Sequence, residues 1–592
     1  TPCQEGASPV IAAYYARQDP LLRIVTGLCE GADTLAYQAT ENLGLNCVEI
    51  ENAAVIGFPL ATYRATRDND FGDEFDRQVK GSAYVLQADG IHEEGDPGKA
   101  KRNRGYRCQS DLLLRQSDLL VALVDPTEEG KAGGTLETVR KALRFQIPVV
   151  LVHPAHDHIR IISPAGNLAE EVEAGADADW QEKLRLWIRR VVADPRLAED
   201  AFKDEQSSHG RDLLDEFFSG EMPAPLAYDD GPAWLDFETW FKPKNPRHVG
   251  SSTGHPGERH PLCEDFLVYR NRASDLAKEY ARRYRNTFFR NALFALCAVL
   301  LATASLLILA LCGEHLHIPA IATLIILAVL KLGLVLKIYL TAHEANHHHW
   351  NDRAVDYRYL AERLRAMDFL PLAGIWQPPA AASPQYASRV VRQSAADWLL
   401  DALMRHTSPA GPVGSRRLIT LDPTAALKSV RNSWLTGQLH YHKDAALKMQ
   451  RMELWLRSLG ELLNFAVIGI VSVDILLLLV KLILTSQHAG EHLSHRLAIA
   501  APFIVFSTAI IPAAVAAVNV IRFQSECERL AKRSAVMVRM LGGRPIHPAK
   551  DPSTTHDETP QPSGYGASHD KVMSFLAGLW KKNLIVMNPS GP

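Results

Sequence analysis

The sequence lacks three features that would each point to a particular class of protein. Its eight cysteines form no Cys-x-x-Cys pair and no regular spacing, which indicates a reduced, cytoplasmic setting for the soluble parts. The formal net charge is -3, so the basic surplus of a general nucleic-acid binder is missing and no nucleic-acid partner is expected. No signal peptide is visible, and because the chain opens at Thr1 rather than Met, we expect residues upstream of it.

The sequence does contain long apolar runs arranged as two hairpins. Residues 288–312 and 318–340 are separated by a five-residue polar break, and residues 461–485 and 497–521 repeat the arrangement. Each run holds at least the roughly 20 apolar residues that a membrane-spanning helix needs. The sequence therefore predicts a four-span protein with the lipid bilayer as a partner.

The placement of lysine and arginine predicts the orientation of these spans. Basic residues gather before the first and third spans and after the fourth, whereas the two breaks between paired spans hold one arginine between them. By the positive-inside rule, both termini and the region between the hairpins lie in the cytoplasm. We expect a multi-pass protein of a plasma membrane.

The two hairpins also read as a duplication. The sequence YLAER at residues 359–363 is echoed by RLAKR at residues 529–533, at about the offset between the hairpins. We divide this part of the chain into a first two-span unit at 263–366, a cytoplasmic linker at 367–430 and a second two-span unit at 431–544. A repeated unit predicts pseudo-symmetric packing around an axis or pore, and the protein is expected to form homo-oligomers.

Residues 1–155 have a different pattern, in which short apolar runs alternate with helical segments. Strands are predicted near residues 22–26, 47–50, 83–86, 119–124 and 148–152, with helices between them. This alternation is typical of a parallel sheet covered by helices. Residues 156–262 are interpreted as a connector, and residues 545–592 as a mostly disordered tail with a short basic amphipathic helix at 570–582.

Two glycine turns in this α/β region each lie between a strand and a helix. At such places free backbone N–H groups and the helix dipole favour an anion, and glycine allows the backbone to approach a phosphate. Crevices at the carboxyl ends of strands are where α/β folds bind nucleotides. The predicted nucleotide-binding residues are Thr26, Gly27, Glu30, Gly31, Asp33, Gly133, Gly134, Thr135 and Glu137.

The same turns carry a resemblance to a known family. Residues 26–36 (TGLCEGADTLA), followed by SDLLVA at 117–122, GGTLETV at 133–139 and IPVV at 147–150, resemble the SLOG superfamily, which includes DprA and the LOG phosphoribohydrolases. The resemblance implies a Rossmann-like fold and a nucleotide-derived ligand. The sequence departs from the family at Lys131 and Ala132, where the LOG enzymes have more glycine, and no opening strand is evident before Val10.

Glu137 stands where the resemblance would place an enzyme's carboxylate, and two interpretations remain open. It is the only candidate catalytic residue, for a nucleotide or NAD hydrolase. It is equally a first-turn carboxylate that stabilises its own helix. No other catalytic residue is predicted.

The membrane units resemble a second family. Residues 357–365 (YRYLAERLR) and 434–442 (WLTGQLHYH) are similar to the SLATT family, two-span effectors of bacterial conflict systems. The fold class is therefore expected to be a Rossmann-like (SLOG) α/β domain followed by a four-span α-helical membrane domain with cytoplasmic helical extensions. The resemblance implies a bacterial inner membrane and a role in antiphage defence.

Two ionisable residues near the middle of the spans are candidates for a role in that membrane. Lys331 in the second span and Asp474 in the third lie at similar depth, and a charge at that depth normally faces protein or water. They either line a pore or pair with each other and fix helix packing. His343, His347, His348 and His349 lack cysteine or carboxylate partners at ligand spacing apart from Glu344, so we expect an interfacial polar patch and no metal site.

These observations lead to one main functional expectation with two alternatives. The chain is expected to be a membrane effector whose SLOG-like domain senses a nucleotide-type ligand and whose spans form a pore. The first alternative is a membrane-tethered nucleotide or NAD hydrolase. The second is a transporter or scaffold in which the α/β domain only packs.

Overall fold

The computed structural model describes most of the α/β region and the helices that follow it. The described residues are 21–43, 49–67, 69–126, 129–145, 147–154, 158–162, 178–192, 209–223, 237, 265–312, 318–367, 369–370, 395–406, 417–420, 428, 430–486 and 491–542. The predicted tail at 545–592, with its amphipathic helix, and the residues before Leu21 lie outside this set.

The α/β region alternates strands and helices as the apolar pattern predicted. Its elements are β1 (Leu21–Thr26), α1 (Ala32–Asn42), β2 (Glu49–Ile56), α2 (Leu60–Ala65), α3 (Asn69–Gly81), β3 (Tyr84–Gln87), α4 (Asp96–Leu114), β4 (Leu120–Leu123), α5 (Thr135–Arg144), β5 (Val149–Val152), β6 (Ile159–Ile162) and α6 (Trp180–Val192). Of the strand predicted at 47–50, residues 49–50 begin the longer β2, whose apolar run AAVI is buried in the sheet, and residues 47–48 lie outside the described residues.

The strands form two sheets in the described part of the chain. β1, β2 and β3 pair in parallel in that order, and β4 pairs in parallel with β5, which β6 flanks antiparallel. The predicted α/β class with a parallel sheet is thus confirmed. Helix α4 lies between the two sheets, since Leu112 packs with the core of the first and Leu114 with the core of the second.

One strand comes from a distant part of the chain. β7 (Arg417–Thr420) pairs in parallel with β3, with Ile419 opposite Leu86. It belongs to the segment predicted as the linker between the two membrane units. Ile419 is buried in the same core cluster as Val55 and Leu86, so the first sheet is completed by a residue more than 300 positions away.

Within the described residues, four helices are long and apolar enough to cross a membrane, which confirms a multi-pass membrane protein. They are α8 (Asp265–Cys312), α9 (Ile318–His347), α12 (Thr436–Ser486) and α13 (Glu491–Gln524). The first two predicted spans coincide with the end of α8 and the start of α9. The fourth predicted span begins inside α13, which continues through Pro502 and Pro512.

The duplication is visible in the order of the helices. After α9 the chain bends at His349 into α10 (Trp350–Ala366), and after α13 it bends at Glu526 into α14 (Cys527–Met540); both bend residues adopt a left-handed backbone, with φ of 48° and 47°. The YLAER echo falls in the second half of α10 but its counterpart in the first half of α14. The bend, rather than that echo, therefore marks equivalent positions in the two units.

The principal helix contacts define how the two units pack. In the first unit α8 packs on α9 and α10, in the second α12 packs on α13 and α14, and α8 packs on α13 to join them. Two further helices, α7 (His209–Ser219) and α11 (Ala395–His406), pack on the polar part of the first unit. Their shared core contains Phe217, Tyr269, Trp350, Tyr357 and Leu399.

Candidate functional site

The first predicted glycine turn follows directly after β1. The carboxylate Oδ2 of Asp33 accepts hydrogen bonds from the backbone N–H of Gly27 at 2.9 Å and of Cys29 at 3.0 Å. Leu28 and Gly31 adopt positive φ values of 54° and 99°, so the chain folds back over this carboxylate. The amide of Gly27, a predicted nucleotide-binding residue, and the amide of Cys29 therefore donate to a carboxylate of the same turn.

The carboxyl of Asp33 has a raised pKa in this position. Burial raises the pKa of its carboxyl, and the two N–H bonds and the charge of Arg67 offset that effect only in part. The role of Asp33 in this structure is to fix the shape of the turn.

A cluster of four side chains lies against the same turn, and we call it the Arg67 cluster: Cys29, Tyr63, Arg67 and Tyr106. The Tyr63 hydroxyl donates to the Gly27 carbonyl at 3.0 Å and lies 3.2 Å from Cys29 Sγ. The Arg67 guanidinium stacks 4.2 Å above the Tyr63 ring, and its Nη2 is 3.9 Å from Cys29 Sγ. Arg67 Nε is buried without a hydrogen-bond partner among the described residues.

The thiol in this cluster is protonated at neutral pH. Burial raises the pKa of Cys29, and the neighbouring charge of Asp33 acts in the same direction. Tyr63 OH is also kept neutral, because burial raises its pKa. The guanidinium is therefore the permanent charge of the cluster, and an anion is the natural complement to it.

An aromatic layer continues from the Arg67 cluster. The Phe58 ring makes edge contacts with Tyr106 at 5.2 Å and with His92 at 5.1 Å between ring centres. Burial lowers the pKa of His92, and the charge of Arg102 lowers it further. Arginine beside several aromatic faces is an arrangement suited to a ligand with a flat ring and a negative charge.

Helix α4 is brought against these loops by glycine. A Cβ at Gly57, just after β2, would lie 2.6 Å from the Gly105 carbonyl oxygen, and a Cβ at Gly90 would lie 2.2 Å from the Gly57 carbonyl. Only residues without a side chain allow backbones to approach so closely. From α4, Gln109 Nε2 then donates to the carbonyls of Gly27 at 3.2 Å and Val55 at 3.0 Å.

The second predicted glycine turn lies against another part of α4. Gly133 has a φ of 76°, and a Cβ there would lie 2.9 Å from Tyr106 Cβ. Its N–H donates to Glu137 Oε2 at 2.8 Å, and Arg107 Nε donates to both Glu137 oxygens at 2.9 and 3.2 Å. Here too an acidic side chain of the chain itself occupies an amide suggested for phosphate.

Glu137 is stabilised in its charged form. Burial raises its pKa, but the hydrogen bonds from the Gly133 N–H and Arg107, with the charge of Lys141, outweigh that effect and lower it. Lys141 Nζ lies 3.6 Å from Glu137 and 2.8 Å from Asp111. These contacts fit a carboxylate that caps the start of α5, as one interpretation of the sequence held.

The structure brings both predicted turns to one helix. Tyr106 and Gln109 are three residues apart on α4, and they contact the Gly133 and Gly27 turns respectively. Thr26 is buried and its hydroxyl has no partner in the part of the chain that the structure describes. Glu30 and Thr135 are exposed, and Gly134 precedes α5 as its N-cap.

Sequence reasoning missed Tyr63, Arg67, Tyr106 and Gln109. Tyr63 and Arg67 are four residues apart, which places them on one side of α2 and its continuation. The spacing indicates a binding site only once the loop after β1 is known to pack against that side of the helix.

The two membrane candidates are separated in the structure. Lys331 lies on α9 and Asp474 on α12, both partly exposed, and within the described ranges no ion pair or hydrogen bond joins either to another residue. Which of the two predicted roles they have stays a prediction.

The histidines at the end of α9 lie close to one another. The rings of His343 and His347 are 6.1 Å apart, and His343 stacks on Tyr339 at 6.0 Å. Among the described residues, no group of three or more His, Cys, Asp or Glu side chains is spaced to hold a metal ion.

Comparison with known proteins supplies no family for this chain. A scan against protein-family models, a search of curated proteins and a search of solved structures each found no match to this chain.

Proposed function

We propose that the protein is a membrane effector gated by a nucleotide-type ligand, with the ligand bound in a Rossmann-like α/β domain and a pore formed by homo-oligomers of the four-span part. The observation that carries the proposal is the Arg67 cluster. It places a partly buried guanidinium, two tyrosines and the Phe58 ring at the carboxyl ends of β1 and β2. That edge of a parallel sheet is where such folds bind nucleotides.

The chemistry of the cluster suggests how the ligand would be oriented. Arg67 and the nearby Arg102 supply positive charge for a phosphate, and the aromatic layer supplies a face for a base. The inner amides of both glycine turns are already occupied by Asp33 and Glu137. We therefore expect phosphate contacts from the guanidinium groups and from the first-turn amides of α1, whose N-cap Gly31 makes no side-chain capping bond.

β7 provides a route from the ligand to the membrane. The strand is part of the same sheet as β1 and β2, and the chain continues from it into a π-helical segment (Val430–Leu435) and α12, which carries the third span. A change at the sheet is therefore passed to a membrane helix over a short stretch of chain. This connection favours the ligand-gated effector rather than a scaffold in which the α/β domain only packs.

The ligand site is tested by a nucleotide panel on the full-length protein in nanodiscs. Thermal-shift screening with nucleoside phosphates, cyclic nucleotides and NAD-derived compounds identifies a binder, and calorimetry then measures its affinity. Arg67→Met should weaken binding at least tenfold. Arg64→Met is the matched control. It removes a nearby guanidinium that pairs with Asp76 at 3.1 Å, and the variant should bind the nucleotide normally. Equal nucleotide affinity in the two variants would show that the Arg67 cluster is not the binding site.

A second candidate function is hydrolysis of the nucleotide through Glu137. The observation in its favour is the ionised carboxylate that Arg107 and the Gly133 N–H hold in place. Product analysis after incubation with the bound nucleotide separates the two. Turnover that Glu137→Gln abolishes would establish the enzyme, whereas binding without turnover supports the sensor.

The proposal places both termini in the cytoplasm, on the basis of the lysines and arginines that flank the spans, and the SLATT-like sequence pattern is the basis for placing the protein in a bacterial inner membrane. In a cysteine-free background, single cysteines at Glu314 and Glu491 should react with an impermeant thiol reagent added to intact cells, and Ser553→Cys should not. Labelling of the cysteine at 553 but not of those at 314 and 491 would show that the protein has the opposite orientation.

A further inference from the structure

Lys331 and Asp474 lie at matching depth on α9 and α12, the two membrane helices at the ends of the series of principal helix contacts. The helix contacts run in the order α9, α8, α13, α12, because α9 packs on α8, α8 on α13 and α13 on α12. α9 has no buried residue along its whole length. The two ionisable residues are thus at opposite edges of one chain.

The helix lengths show that the depths match. Lys331 is the fourteenth residue of α9, and Asp474 is the thirteenth from the end of α12. At about 1.5 Å per residue, each lies roughly 18 to 20 Å from the helix end next to its hairpin break. Both breaks lie on the same side of the membrane, since two spans separate them.

These positions give one chain a positive edge and a negative edge. A charge at this depth is not stable against lipid and requires protein or water beside it. Neither Lys331 nor Asp474 has a partner among the described residues of its own chain. The positive edge of one copy and the negative edge of another form an ion pair when the two copies lie side by side.

We infer that α9 of one copy packs against α12 of the next, with Lys331 of the first paired with Asp474 of the second. The contact is head-to-tail, because each copy uses a different edge toward each neighbour, and the same contact repeats from copy to copy. The inference rests on the membrane part of the proposed function and adds the subunit contact to it. It requires neither a ligand nor conductance.

Disulfide cross-linking of the full chain in its membrane tests this contact. Val335→Cys on α9 and Ile470→Cys on α12 lie one turn from the charged residues, on the same sides and at matching depth, and leave the charges intact. In a background without native cysteine, the double variant should give a ladder of dimers, trimers and larger products after oxidation. Each single variant alone should give none, and a mixture of the two should stop at dimers.

Each other pattern overturns the inference. Dimers from either single variant would show a symmetric contact, and a cross-link confined to the monomer would show an intramolecular pair. An oligomer by mass photometry without any cross-link would show a different interface.

The charges are tested separately from the geometry. Lys331→Asp in the double-cysteine chain should reduce the ladder at least tenfold, and adding Asp474→Lys should restore it. A ladder unaffected by Lys331→Asp would overturn the role of the pair. Because nucleotide binding is measured independently, a chain that forms the ladder but binds no nucleotide would defeat the gating proposal and leave this one standing.

Discussion

Glu216 on α7 and Arg353 on α10 contact each other across 137 residues of sequence, with Oε2 and Nη1 3.4 Å apart. Tyr357 OH donates to the same carboxylate at 2.8 Å, Tyr280 on α8 donates to its other oxygen, and Arg353 also pairs with Asp212 at 3.0 Å. One carboxylate thereby ties α7 to the helix that enters the first span and to the helix that follows the second. The segment before the membrane domain is fixed to its first unit at this point.

Arg353→Met should release α7 from the membrane unit. Arg353 is 8% exposed, and its loss leaves the partly buried carboxylate of Glu216, whose side chain is 14% exposed, without its cation, at a cost of about 2 kcal/mol. Hydrogen exchange should show faster exchange over residues 209–219, with a lower thermal midpoint. Arg529→Met, at an exposed pair with Glu526, is the control and should be within about 0.5 kcal/mol of the parent. Unchanged exchange in Arg353→Met would show that apolar packing alone holds α7.

Gly57→Ala should disrupt the docking of α4 on the first sheet. The added Cβ would meet the Gly105 carbonyl at 2.6 Å, and backbone on both sides cannot yield without moving the helix. We expect a loss of about 2 kcal/mol or more in unfolding free energy, measured by denaturant titration of the α/β transition. Gly437→Ala, where nothing lies within 4 Å, should be neutral or slightly stabilising. Equal stabilities for the two variants would contradict the close approach.

Glu137→Gln should lower stability at neutral pH but not in acid. The pKa of Glu137 is lowered in the folded state from an ordinary value of 4.5. Its contribution is therefore present above that value and is lost as the pH falls through the folded-state pKa. At pH 7 we expect a loss of about 1 kcal/mol, since Arg107 is half exposed. Thermal midpoints of parent and variant should converge as the pH falls below 4.5 and through the folded-state pKa, and a constant difference would show that the carboxylate acts through packing.

Ile419→Asp should detach β7 from the first sheet. Ile419 is 6% exposed and packs on Val55 and Leu86, so a carboxylate there cannot be accommodated. Residues 417–420 should lose protection in hydrogen exchange, and any nucleotide-dependent conductance should disappear while nucleotide binding persists. Leu418→Asp, on the exposed face of the same strand, is the matched control. Conductance retained in Ile419→Asp would show that gating takes another route.

Properties that are local in the chain could be predicted from the sequence. The transfer of a 20-residue apolar run into lipid depends only on that run, so the hairpins at 288–340 and 461–521 were recognisable without a fold. The alternation of strands and helices before residue 152 is likewise set by local periodicity. The glycine turns at Gly27 and Gly133 were located for the same reason, because positive φ and close approach require glycine.

What those turns do was decided only by the tertiary structure. Asp33 and Glu137 bond to the amides suggested for phosphate, and Arg67 and Tyr63 reach the turn after β1 from a helix more than thirty residues away. β7 entered the sheet from the segment between the membrane units, and the helices that carry Lys331 and Asp474 are connected through the contacts of α8 and α13. Each outcome depends on packing between residues distant in sequence, and the pattern within any one segment carries no information about its partner.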